Sequence, residues 1–148
     1  MKNVFVVVLT VFLLVSLTGC GGETPKELTN IGEYDECTLE LLDATKIVTE
    51  DGIQAVRVNA TYTNNGADPL YASCSFAVRG FQNDVEMNDL SDINGSEESL
   101  VREIKNGQSL SVSFVFELTD DSEVEVLIGT PTADMETVGR AVYFATEE

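Results

Sequence analysis

Alternation with a period of two runs through most of this chain and leaves little room for anything but β-structure. Between residues 56 and 63, apolar Val56, Val58, Ala60 and Tyr62 alternate with Arg57, Asn59, Thr61 and Thr63. Successive side chains of a strand point to opposite faces, so this spacing dictates one buried and one wet face. Leu110, Val112, Phe114, Phe116 and Leu118 form a longer apolar row. Cys37, Leu39 and Leu41 form a third, which Lys46-Ile47-Val48 continues beyond a kink, and Cys74, Phe76 and Val78 form a fourth. Residues 81–87, 100–104, 124–128 and 138–144 supply shorter strands, and no segment offers an amphipathic helix. Turn chemistry separates these runs: Glu50-Asp51-Gly52, the stretch from Asn64 to Pro69, Asp120-Asp121-Ser122, and a hairpin signal at Asn106-Gly107. Gly80 marks a bend or bulge, and residues 88–99 read as a long acidic loop. Seven or eight short strands with turns at this spacing predict an all-β antiparallel sandwich.

The first nineteen residues do not belong to that pattern. A singly positive head (Met1-Lys2-Asn3) precedes a nearly unbroken apolar run to Leu17, which describes a secretory signal. Fourteen apolar residues in a helix rise only about 21 Å, short of a ~30 Å hydrocarbon core, so a membrane span is the weaker reading. Leu17-Thr18-Gly19-Cys20 resembles the bacterial lipobox at all four positions. The resemblance implies cleavage after Gly19 and lipidation of Cys20, with the membrane reached through that N-terminal lipid. Residues 1–19 are thus expected to be a lipoprotein signal peptide and 20–33 the lipidated cysteine and a flexible tether. The thirteen tether residues have a typical reach of roughly 20 Å. Residues 34–148 are expected to form the domain.

Two motifs within the domain carry a further resemblance. One is Val58-Asn59-Ala60-Thr61-Tyr62-Thr63-Asn64-Asn65-Gly66, a strand running into Thr-Asn-Asn and a turn. The other is the stretch from Ala77 to Met87, containing Phe81-Gln82-Asn83-Asp84, with Asp84 where the pattern has Gly. Together with Asn106-Gly107 and the strand after it, they resemble an uncharacterised family of immunoglobulin-like domains in bacterial, mostly Gram-positive, lipoproteins. The resemblance covers roughly residues 34–145 and implies an extracytoplasmic immunoglobulin-like sandwich. It brings no catalytic residues with it.

Composition narrows the chemistry. The chain has no His, which excludes an imidazole base, Ser-His-Asp and Cys-His sites, and His-ligated metals. Its 8 basic residues face 26 acids, a formal charge of −18, and no acid lies within residues 1–19. Such a charge argues against nucleic acid, whose binders must replace phosphate counterions with Lys and Arg. Cys37 and Cys74 remain after lipidation, both on inward-facing positions of strands. A bridge between them would contribute ~3–4 kcal/mol on a chain-entropy account. Two separate buried thiols are the alternative, and spacing does not choose between them.

Asp84, Glu86, Asp89, Asp92, Asn94 and Glu97 make an oxygen-rich stretch of the kind calcium uses, though EF-hand spacing is absent. A solvated loop is the plainer reading. Carboxylate pairs for glycoside hydrolysis carry no signal among 26 acids. The expectation is a non-enzymatic, lipid-anchored module on the extracytoplasmic face of the cell membrane. It would bind or assist an envelope or extracellular protein and need no cofactor. A surface lipoprotein taking calcium or a small ligand is the alternative.

Overall fold

The computed structural model describes residues 27–71, 76–91 and 101–147. The two longest alternating rows become neighbours, because each has an apolar face that only another such face can cover. β2 (Cys37–Val48), β3 (Gln54–Asn64) and β8 (Ser109–Glu117) lie side by side and antiparallel, with β1 (Ile31–Tyr34) against β2. The second sheet runs β10 (Thr137–Tyr143), β9 (Val124–Gly129), β5 (Ala77–Gln82) and β6 (Val85–Glu86). β4 (Leu70–Tyr71) and β7 (Glu103–Ile104) form a separate two-stranded ladder. β11 (Thr146–Glu147) returns parallel to β2 at Thr45 and Lys46. β1 holds the same edge of β2 at residues 37–40, and the two are separated by a bulge between Leu41 and Ala44, where the sequence predicts a kink.

The sandwich interior is built from the predicted rows. Leu39, Leu41, Val56, Val58, Ala60, Tyr62 and Phe116 of the first sheet meet Val124, Val126 and Ile128 of the second, and none is more than 2% exposed. Each fully buried Val, Leu, Ile or Phe contributes roughly 1.5–3 kcal/mol. Tyr62 meets Phe76 edge-on, with ring centroids 6.0 Å apart. This is the expected all-β sandwich, and among the described residues seven of its eleven strands are four residues or longer. Numbered one to seven, those seven run 1-2-3-5 in one sheet and 7-6-4 in the other. That order differs from the ABED and CFG sheets of an immunoglobulin constant domain.

Local details depart from the sequence pattern for identifiable reasons. β1 opens at Ile31, ahead of the expected domain start, because Asn30 and its neighbours pair with β2 through Leu41. Gly80 makes no bulge. It sits in unbroken register opposite Val126, and a Cβ there would lie 2.9 Å from the Phe116 ring, so the glycine serves a close approach of the sheets. Asn106-Gly107 is a turn, with Gly107 at φ 69°, but not a hairpin, because β7 pairs with β4 while β8 joins the first sheet.

The start of the expected acidic loop is packed rather than solvated. The Leu90 N–H donates to Val115 O (2.7 Å) and the Glu117 N–H to Asn88 O (2.9 Å), covering the outer edge of β8. Leu90 itself is buried against Ala55 and Val115, two apolar side chains on the outward face of the first sheet that need a cover.

Candidate functional site

The two motifs that carry the family resemblance are latches. Asn64 ends β3 with its side chain fully buried. Its amide nitrogen donates to Asp68 O (2.8 Å) and Ile104 O (2.9 Å), and its Oδ1 accepts from the Gly66 N–H (2.9 Å). Its backbone O accepts from the Gly107 N–H and its backbone N–H donates to Gln108 O. One residue thus ties the turn after β3 to β7 and to the turn before β8. The Asn65 side chain reaches Thr38 Oγ1 at the surface (2.9 Å), and its backbone N–H donates to Glu36 O.

Gln82, 3% exposed, plays the matching part at the end of β5. Its amide nitrogen donates to Asp120 O and Ser122 O, and its Oε1 accepts from the backbone N–H and hydroxyl of Thr119. The loop between β8 and β9 is therefore fastened to β5 by a saturated amide. Asn83 and Asp84 follow with φ of 52° and 62°, the left-handed pair that a two-residue hairpin requires, so Asp84 fills the glycine position of the motif. Asn83 Nδ2 donates to Asp120 Oδ2 (2.8 Å). The Ser122 hydroxyl and backbone N–H, with help from Asn83, hold the Asp120 carboxyl below its ordinary value of 3.8. The pattern of amides in the sequence marks these positions, but which amide is buried is decided by tertiary pairing.

The six residues of the candidate calcium stretch are used separately where they can be followed. Asp84 sits in the β5–β6 turn, Glu86 pairs with Arg79 (3.7 Å), and Asp89 Oδ1 accepts from the backbone and hydroxyl of Ser91. Asp92, Asn94 and Glu97 lie outside the described residues, as does Cys20. No group of three or more acidic or thiol side chains positioned for a metal occurs among the described residues. Cys37 is a buried free thiol on the inward face of β2, and its candidate partner Cys74 also lies outside the described residues.

The outward faces of the two sheets differ. On the first, cross-strand rows read Thr38–Thr63–Ser109 and Glu40–Thr61–Ser111, a hydroxyl surface with Thr63 and Ser109 2.8 Å apart. On the second, Phe81–Glu125–Val142 and Arg79–Leu127–Arg140 lie in neighbouring rows. The Arg79 guanidinium stands over the Phe81 ring, 5.3 Å from its centroid, and Arg140 pairs with Glu125. Arg79 Nε is buried without a hydrogen-bond partner among the described residues. Between Phe81 and Val142 lies a depression of about 300 Å³ rimmed by Asp84, Glu123 and Glu125. At the rim of the core, burial and the charge of Asp43 push the Tyr143 phenol up to about 12.

A family model described as "Domain of unknown function (DUF5067)" matches residues 23–128, well over half of the chain. The chain belongs to the DUF5067 family. The DUF5067 match takes in both amide latches and reaches Ile128 in β9, so β10 and β11 lie beyond it. No curated protein matches the sequence. Among solved structures, the DUF5067 chain is similar to a putative lipoprotein from Staphylococcus aureus subsp. aureus NCTC 8325, with a TM-score of 0.61 and 17% identity over 80% of this chain and 92% of that one. It is also similar to a putative lipoprotein (ycdA) from Bacillus subtilis subsp. subtilis str. 168, with a TM-score of 0.54 and 19% identity over 79% of this chain. That match takes in 38% of the Bacillus protein, so the DUF5067 chain spans well under half of its length. At these identities the likeness is one of fold.

Proposed function

We propose that this DUF5067 protein is a lipid-anchored, extracytoplasmic, non-enzymatic module that binds or assists a protein partner in the cell envelope. The observation that carries the reading is Leu17-Thr18-Gly19-Cys20 after a signal-like apolar run. Two acyl chains or more on such a cysteine give stable anchoring, at about 0.8 kcal/mol per buried CH₂. The description of both structural neighbours as putative lipoproteins supports the same placement. Support for a binding rather than a catalytic role comes from the absence of His and from carboxylates spent on turns and ion pairs. The acidic exterior repels anionic lipids and polymers and favours basic partners.

Replacing Cys20 by Ser tests the anchor. The variant is expected in the soluble fraction or as the uncleaved precursor, and normal membrane retention with normal mobility would refute it. Pull-down of the wild-type protein from detergent-solubilised membranes tests binding. Recovery of the protein alone at every salt concentration would remove that part of the reading.

A further inference from the structure

The two sheets of an antiparallel sandwich normally show water a polar outer face. The first sheet does so with its rows of Thr and Ser, and its outward Ala55 and Val115 are covered by Leu90. The second does not. Phe81, Leu127 and Val142 lie on its outer face and belong to neither core cluster, and Phe144 just beyond is 75% exposed. Arginine laid over an aromatic ring among aliphatic side chains is the composition of protein interface cores, not of a solvated sheet.

Resting on the binding role proposed above, we infer that the outer face of the β10-β9-β5-β6 sheet docks a basic, apolar-flanked segment of the partner protein, centred on the depression between Phe81 and Val142. Charge selects this occupant. The two arginines of the face are already engaged, Arg79 with Glu86 and Arg140 with Glu125. Asp84 and Glu123 on the rim have no ion-pair partner among the described residues, so the uncompensated charge is negative. A second copy of a chain at −18, an anionic lipid surface or an acidic polymer would each meet like charge there. A lysine or arginine can rest its aliphatic stem on Phe81 and Val142 while its charged head reaches the carboxylates.

The test uses the ¹⁵N-labelled full chain in detergent micelles, titrated with blocked Lys-Phe, Lys-Ser and Glu-Phe repeat hexapeptides. The Lys-Phe peptide is expected to shift the amides of residues 81–84, 123–125 and 140–143. It should bind at least about tenfold more weakly to an Asp84→Asn, Glu123→Gln double variant and to Val142→Ser, and more weakly as salt rises. Thr61→Ala and Ser111→Ala on the opposite face should leave its affinity unchanged. Equal binding of Lys-Ser, or shifts spread over the whole acidic surface, would overturn the site. So would unchanged affinity in the double variant, or shifts of the same face on concentrating the protein without peptide, which would assign it to a second copy. A partner recovered by pull-down but cross-linked elsewhere would overturn the docking face while leaving the binding role intact.

Discussion

Replacing Asn64 by Ala removes one side chain and strands three backbone groups. The carbonyls of Asp68 and Ile104 lose their donor and the Gly66 N–H loses its acceptor. Two of these bonds are buried and one is part-buried, and the residue is fully shielded, so water does not readily replace the amide. An orphaned buried polar group costs about 1–3 kcal/mol, so the sum is roughly 3–7 kcal/mol with the part-buried carbonyl counted low. At roughly 4 °C per kcal/mol for a domain of this size, this corresponds to a fall in Tm of roughly 12–28 °C. Urea unfolding followed by tyrosine fluorescence measures the free energy, and calorimetry the Tm. Asn65→Ala is the internal control, because it loses one exposed bond to Thr38 and is expected to cost less than about 0.5 kcal/mol. Asn64→Asp keeps an acceptor for Gly66 but turns an oxygen toward two carbonyls, and should fare no better than Ala at neutral pH. If Asn64→Ala lies within about 1 kcal/mol of wild type, or Asn65→Ala costs as much, the latch argument fails.

Other consequences follow from the same geometry. Gly80→Ala places a methyl against the buried Phe116 ring, and overpacking at about 1–3 kcal/mol outweighs the ~0.5–1 kcal/mol that Ala gains over Gly in a strand, so net destabilisation is expected in a melting assay. Gln82→Ala should free the β8–β9 loop, seen as faster hydrogen exchange at Thr119 with little change in the amides of β3. Because the Asp120 carboxyl is held below 3.8, its contribution to that loop is complete above this value and is lost as pH falls through the lowered one. Acid titration of the Ser122 amide shift should show it, and Ser122→Ala should move the transition up. Tyr143 should ionise near pH 12 by ultraviolet absorbance, and Asp43→Asn should lower that midpoint. Its stabilising contribution is present below the ordinary phenol value of 10 and lost as pH rises through about 12.

Periodicity made the sandwich core legible. Leu39, Val58, Tyr62 and Phe116 are inward because their row has period two, and no tertiary knowledge is needed to see it. Pairing is another matter. Nothing local distinguishes an Asn-Gly turn that folds a hairpin from one that hands the chain from a small ladder to a large sheet, since both need the same positive φ at Gly107. Gly80 was equally ambiguous, because a missing Cβ serves a bulge or a close approach, and only the position of Phe116 decides which. The packed start of the acidic loop has no local signal, because Leu90 answers Ala55 and Val115, residues distant in sequence.

The motifs by which the chain resembles its family are the residues most committed to holding the fold. Gln82 uses all four of its side-chain hydrogen-bonding positions and Asn64 three of four while fully shielded from solvent, so neither amide is open to a ligand. The family match spans both latches, and kinship of this kind does not say what a scaffold binds. On the proposed binding role, specificity resides where the latches do not reach. The first sheet's outer face is a hydroxyl surface without an aromatic anchor in its cross-strand rows. The second sheet's outer face joins Phe81, Arg79 and Val142 to carboxylates that lack partners among the described residues. Its far edge is completed by β10, beyond the end of the family match at residue 128. Arg140 and Val142 therefore stand apart from both latches, so on the docking proposal the face can be altered while the latches are left intact.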